Sequence, residues 1–426
     1  MRPSRLARGV GLLALLIAAA FLMLTSILPH SSAQVVEAPL VPALAQRQIA
    51  TLTPTPEPTP TLSPTPNPTA TAAAAFFTVE QAEMISHYPR GVEFVFRGSS
   101  SAGEISRVQV STRTRDNIRE SALLEWDADR EAFVYFDRMH SPPWFEINYR
   151  FRVSDSAGNQ YTTPEMSAEY ADHSRKWLRR ENEHIIVLTF GTRQSIVDDL
   201  FASAAQAMLV LEEAFGFQLD YKPYVVVMPD QASFQEWQEY PDPYLAGQTL
   251  SSRGYTIQTL QWGEDELINT TVPHELAHIF QGFIAEARDI PAWFTEGNAS
   301  YFEPVTQYDY EQRVRDVADH PDFPTLQGQI STEYPGPDGR NRWVYDIGYS
   351  FMKFWITTYG WESHRIFWQA QTTHDFKEAM EIATGVSFEK LESQWRAYIG
   401  APGPAPTLIP SPTLLPFPTA PGMGGG

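Results

Sequence analysis

The chain has 426 residues, with 31 Lys+Arg against 51 Asp+Glu, a net charge of -20, 34 prolines and no cysteine. That length is enough for two or three domains of ~100–200 residues each. Without cysteine there is no disulfide scaffold, no Cys-ligated zinc, no iron–sulfur cluster and no thiol nucleophile. The acidic balance speaks against gripping nucleic acid or an anionic bilayer through charge, so no nucleic-acid partner is expected.

The prolines are unevenly spread: seven lie between Pro54 and Pro68 and eight between Pro402 and Pro421. At the N-terminus, Arg2, Arg5 and Arg8 precede an apolar run from Gly9 to Leu28, and Ser31-Ser32-Ala33 follows. A basic flank, an apolar stretch and small residues form the pattern of a secretory signal, and the run is also long enough to span a bilayer. Residues 1–33 are therefore expected to be a signal peptide or a membrane anchor. Everything after them would lie outside the cytoplasm, anchored in the cell envelope or secreted. Residues 34–76, with their Thr-Pro repeats, read as a semi-rigid extended linker at ~3.1 Å per residue. Residues 401–426 return to Ala, Pro, Gly and Thr and read as a disordered tail.

Residues 77–170 carry β patterning. Phe145, Ile147, Tyr149, Phe151 and Val153 alternate with polar residues, and the run closes in Asp155-Ser156-Ala157-Gly158-Asn159. Strict period two followed by turn chemistry predicts a half-buried strand. Shorter alternations at 92–96, 107–111 and 133–136 predict a small β-sandwich, which resembles immunoglobulin-like or fibronectin type III modules in pattern alone. The expected role is a spacer or docking module.

From residue 171 to 400 the expectation is an α+β domain, strands first and helices after. Ile185–Phe190 and Tyr224–Met228 read as buried strands, 195–215 as a helix, 231–237 as a short helix, and 250–262 as a strand pair. After Glu264 the pattern is mostly helical.

His274 and His278 are the two histidines that stand four apart, in His274-Glu275-Leu276-Ala277-His278. On a helix these positions share a face, so two imidazoles can hold one Zn²⁺, with Glu275 in reach of a water on the metal. Asn269, Thr270 or Thr271 is the expected cap, with Pro273 in the first turn and Gly282 near the stop. A catalytic zinc wants a third protein ligand. Glu296 is the candidate, in Trp293-Phe294-Thr295-Glu296-Gly297-Asn298-Ala299-Ser300-Tyr301 on a second helix.

HExxH, 17 intervening residues and a Glu within Trp-x-x-Glu-Gly-x-Ala-x-Tyr resemble the gluzincin metallopeptidases. The nearest resemblance is to the peptidase MA-like domains, relatives of the M1 aminopeptidases and thermolysin. The gap is one residue shorter than is usual in the M1 enzymes. The resemblance covers about residues 180–400 and implies a zincin-like fold with a zinc-dependent peptidase activity on peptide or protein substrates. It also implies that the Tyr-x-x-Gly segment Tyr345-Asp346-Ile347-Gly348 supplies a phenol to the oxyanion, with Tyr349 and His320 as substitutes. Thr295, Ser300 and Glu303 are open candidates for orienting the histidines. By family logic an extended substrate would pair with the strand 254–260. The M1 segment Gly-x-Met-Glu-Asn, which binds a free amine, is absent; Ser251-Ser252-Arg253-Gly254-Tyr255-Thr256 stands in that region. An exopeptidase mode is therefore unsupported, and an endopeptidase or another mode is expected. The alternative is a cell-surface binding or scaffold protein whose peptidase-like domain is inactive.

Overall fold

The computed structural model describes residues 76–285, 289–304, 308–327, 330 and 342–401. The expected signal or anchor, almost all of the Pro-rich linker and almost all of the tail lie outside the described residues. Among the described residues, no helix is long and apolar enough to cross a membrane.

The chain is sheet-rich first and helical after. Two antiparallel sheets form residues 77–169. One runs β1 (Phe77–Ser86), β2 (Gly91–Ser100), β6 (Ala132–Arg138), β5 (Glu125–Asp127). The other runs β4 (Arg119–Leu123), β3 (Ile105–Arg113), β7 (Glu146–Asp155), β8 (Gln160–Thr162), with β9 (Met166–Glu169) also on β7. The expected alternation is seen in β7, where Ile147, Tyr149, Phe151 and Val153 are buried. They meet the other sheet face to face: Phe94 packs on Tyr149 at 5.7 Å and Phe96 on Phe151 at 5.5 Å between ring centroids.

A third sheet follows, in the order β10 (Trp177–Glu181), β11 (Ile186–Phe190), β12 (Tyr224–Met228), β14 (Tyr255–Thr259), β13 (Gly247–Leu250). β11, β12 and β14 are parallel, and β10 and β13 are antiparallel edges. Pleating sorts the two faces. Val187, Val225 and Val227 join the core built with α1 (Gln194–Phe215), whereas Ile186, Leu188, Val226, Met228, Tyr255 and Ile257 join the core of the sandwich. Tyr255 donates to the Pro143 carbonyl at 2.8 Å, Tyr224 to Glu169 Oε1 at 2.8 Å, and Arg253 pairs with Asp116 at 2.7 Å. The sandwich thus covers one face of the third sheet, a role beyond that of a spacer.

This topology corrects the expected substrate edge. Residues 255–259 pair on both sides, with β12 and with β13, so they have no free edge; the outer strand is Gly247–Leu250. Sequence pattern marks strands but does not decide which one ends a sheet.

α2 (Gln231–Gln235) lies between β12 and β13, and the helical half comprises α3 (Val272–Ala285), α4 (Ala292–Tyr301), α5 (Tyr310–Asp316), α6 (Trp343–Gln371), α7 (Phe376–Thr384) and α8 (Phe388–Ile399). Asp230, Asp375 and Ser387 cap α2, α7 and α8 by accepting from Ser233, Glu378 and Lys390 backbone N–H groups. α6 is broken at Gly360, which adopts φ 79° and ψ 173°.

Candidate metal centre

α3 does not begin with the expected cap. A helical turn at Glu264–Glu266 runs into a π-helical turn, Leu267–Thr271, which leads directly into Val272. Pro273 explains the detour. It has no N–H and its ring crowds the carbonyl of residue 269, and a wider π turn relieves both. Gly282 is likewise not a stop, since α3 continues to Ala285. A Cβ at Gly282 would stand 2.2 Å from the Ser251 side chain. Its bareness lets α3 lie against the turn Ser251–Arg253 that joins β13 to β14.

α3 and α4 bring three predicted residues together. One donor atom from each of His274, His278 and Glu296 lies within 4.8 Å of the other two. His274 Nε2 is 3.2 Å and His278 Nε2 3.4 Å from Glu296 Oε2, and the two Nε2 atoms are 3.2 Å apart. All three side chains are buried.

Each imidazole is held from its far nitrogen. His274 Nδ1 donates to Glu303 Oε1 at 3.0 Å, and the Tyr310 hydroxyl donates to Glu303 Oε2 at 3.1 Å. His278 Nδ1 donates to Gln281 Oε1 at 3.0 Å. Among the three open candidates Glu303 is the one that touches a histidine; the Thr295 hydroxyl donates to the Ala292 carbonyl on its own helix. Gln281 was missed by sequence reading, although i, i+3 spacing from His278 on α3 is the signal for it.

The donor set fits a cation. With both Nδ1 atoms occupied as donors, the Nε2 lone pairs converge on each other and on a carboxylate oxygen. Three acceptors at such distances repel unless a positive charge joins them. Without a metal, protons play that part. Burial pulls His274 down, but hydrogen bonds and charge from Glu296 and Glu303 outweigh it and hold the imidazole up to about 10. His278 is raised as well: burial opposes it and Glu296 dominates. Glu296 is held far below its usual range; burial opposes this, and the two imidazolium partners prevail.

Glu275 points the other way, toward the third sheet. Its Oε2 accepts from the Thr249 hydroxyl on β13 at 2.5 Å. Thr249 and Thr256 hydroxyls are 2.7 Å apart, and Gln258 Nε2 donates to Thr256 at 2.9 Å. Thr249 has one proton and gives it to the carboxylate, so Thr256, itself an acceptor from Gln258, supplies the next. The chain of donors ends on the Glu275 carboxylate.

Tyr345 comes next to the centre: its ring lies 6.0 Å from that of His274, and the Arg342 guanidinium sits 4.8 Å above it. Burial first, then the charge of Glu296, push its phenol well above the ordinary 10, which keeps the hydroxyl neutral. The substitutes lie elsewhere. Tyr349 packs on Tyr301 and Tyr310, and His320 is exposed beside Asp322.

The glycines of the two motifs explain how α4 and α6 meet. A Cβ on Gly297 would lie 2.1 Å from the Gly348 backbone, and one on Gly348 would lie 2.0 Å from the Trp293 carbonyl. The helices therefore cross backbone on backbone, placing Glu296 and Tyr345 both beside His274.

No protein-family model matches the chain, and no curated protein matches it. Among solved structures, the M1 zinc metallopeptidase from Deinococcus radiodurans matches at 11% identity over 78% of this chain and 97% of its own, with a TM-score of 0.35. Legionella pneumophila aminopeptidase A in complex with aspartic acid matches at 11% identity over 75% of this chain and 49% of its own, with a TM-score of 0.36. A carbohydrate-binding module family 56 β-1,3-glucan binding domain matches at 19% identity over 22% of this chain and 96% of its own, with a TM-score of 0.17. Likenesses this low carry neither substrate nor mechanism to this chain.

Proposed function

We propose that the chain is a zinc metallopeptidase of the gluzincin type, related to the peptidase MA-like domains, that hydrolyses peptide bonds in peptide or protein substrates. The observation that carries this reading is the convergence of His274, His278 and Glu296, with Glu275 presenting a separate carboxylate from the same helix. The fold reading that goes with it is an immunoglobulin- or fibronectin-like sandwich followed by a zincin-like domain.

His274 Nε2, His278 Nε2 and Glu296 would hold the ion. Bound zinc supplies Lewis acidity and lowers the pKa of a coordinated water toward ~7. Glu275 accepts a proton from the attacking water and returns it to the leaving amine. Its hydrogen bond to Thr249 fixes the carboxylate at one oxygen and leaves the other for the proton. Tyr345, neutral and close to His274, donates to the oxyanion. Among the described residues β13 is the outermost strand on that side of the sheet, and its edge is where an extended substrate can lie. The protein would work outside the cytoplasm, secreted or anchored through residues 1–33, with the Pro-rich linker as a stalk.

The test is peptide-library cleavage by the purified chain with and without chelator, alongside zinc content. Glu275→Gln is expected to keep zinc near one per chain and to lose about 10²–10⁴-fold in turnover, the range for general acid–base catalysis. Wild-type cleavage by that variant, or a wild-type chain without zinc, overturns the reading.

A further inference from the structure

Behind His278 a line of buried polar side chains runs through three helices. Gln281 Nε2 donates to the Thr295 carbonyl at 3.0 Å and to Asn298 Oδ1 at 3.0 Å. Asn298 Nδ2 is 2.9 Å from His364 Nε2, and Trp368 Nε1 donates to that same nitrogen at 3.0 Å. His364 Nδ1 donates to the Ala214 carbonyl at 3.0 Å, in the last turn of α1. Asn298 and His364 are fully buried. Rings of Phe215, Trp361 and Trp355 surround His364 at 4.9, 5.4 and 5.6 Å.

The polarity of this line follows from its ends. A carbonyl only accepts, so His364 Nδ1 carries the hydrogen that Ala214 receives. An indole N–H only donates, so His364 Nε2 carries the lone pair that Trp368 meets. Asn298 must then turn its NH₂ toward His364 and its oxygen toward Gln281. Gln281 has two amide hydrogens and two acceptors waiting, the Thr295 carbonyl and Asn298 Oδ1. Its own oxygen is left for His278, whose Nδ1 must be the protonated nitrogen. The His278 Nε2 lone pair is thereby turned toward His274 and Glu296. Burial holds His364 down to about 3, so it stays neutral and the direction does not reverse at physiological pH.

We propose that Gln281, Asn298 and His364 form a positioning relay that fixes the tautomer and ring orientation of His278 from the Ala214 carbonyl, and so sets how tightly the centre holds its metal. The proposal rests on the metallopeptidase reading for its metal, but the polarity of the line stands without one. None of the three residues touches the reacting atoms; they act through His278.

Two measurements on the full chain test it. In the metal-free protein, ¹⁵N NMR of the imidazoles should find His364 neutral at pH 7 with the proton on Nδ1. A proton on Nε2 instead reverses the line and overturns the relay whether or not zinc binds. In zinc-loaded protein, chelator competition should find Asn298→Leu and His364→Phe weakened about tenfold, the lower end for residues outside the ligand shell. Gln281→Leu should lose more, together with the slowly exchanging Nδ1–H signal of His278. Gln281→Glu, which keeps an acceptor, should retain that signal. Circular dichroism restricts the comparison to folded variants, and Asn298→Ser takes the place of any that fails to fold. A wild-type chain that binds no zinc sinks the peptidase reading. Wild-type affinity in the folded Asn298 and Gln281 variants sinks the relay alone.

Discussion

Two halves of this molecule bury similar apolar residues and very different polar ones. Within residues 77–169 the buried polar side chains are Asp155 and Thr163, both engaged with local backbone. The helical half buries His274, His278, Gln281, Glu296, Asn298, His364, Glu392 and Arg396. Burying an ionisable group costs several kcal/mol unless it is paired or hydrogen-bonded. The groups that the proposed reaction draws on therefore all lie on the helical side of the molecule. The third sheet is the divide. Its sandwich side carries Tyr255 and Ile257, and its α3 side carries Thr256 and Gln258, one pleat apart on one strand.

The contrast can be broken from either half. The largest effect is expected from Glu296→Ala, which removes a proposed ligand and should cost more than the ~10–100-fold in metal affinity typical of outer partners. Chelator competition measures it, and unfolding of the sandwich should be unchanged. Next comes Phe151→Ala, at about 3–5 kcal/mol of stability by denaturant melts, with zinc stoichiometry retained in the folded fraction. If that variant instead loses metal while folded, the two halves are not separable in this way.

Thr249→Val should follow. It removes a hydrogen bond to a charged group, worth about 1.5–3 kcal/mol, and should lower kcat about 10–100-fold with little change in zinc affinity. A pH slope in stability tests the helical half without touching the proposed reaction. His364 binds its proton near 6.5 when unfolded and near 3 when folded, so between those values the unfolded chain holds more protons. Stability from this group is complete above pH ~6.5 and falls as pH drops, by at most about 1.4 kcal/mol per unit. Unfolding midpoints of metal-free protein from pH 7 to 4 should show this slope, and His364→Phe should flatten it.

How much of this was legible in the sequence depended on distance along the chain. His274, Glu275 and His278 sit within five residues, and a helix alone makes them a candidate site. Glu296 became readable because its neighbours form a second recognisable segment. Thr249 and His364 stayed invisible, and Glu303 could not be chosen over Thr295 and Ser300, since only tertiary folding brings a residue from another helix or strand to an imidazole or a carboxylate. The edge strand was misplaced for the same reason: residues 255–259 have a β pattern whether or not 247–250 lies outside them. The missing N-cap is a local failure. Thr270 and Thr271 are good caps, but a helix already running from Glu264 left them nothing to cap.

The contact between Gly297 and Gly348 carries a consequence for how this centre can change. Side chains at a helix crossing act as adjustable spacers; two bare backbones leave nothing to adjust. The Glu296 carboxylate and the phenol of Tyr345 therefore share one fixed ruler, each a few residues from the same point of touch. The distance between carboxylate and phenol is set at this crossing, and an alanine at either glycine would displace both partners in a single step.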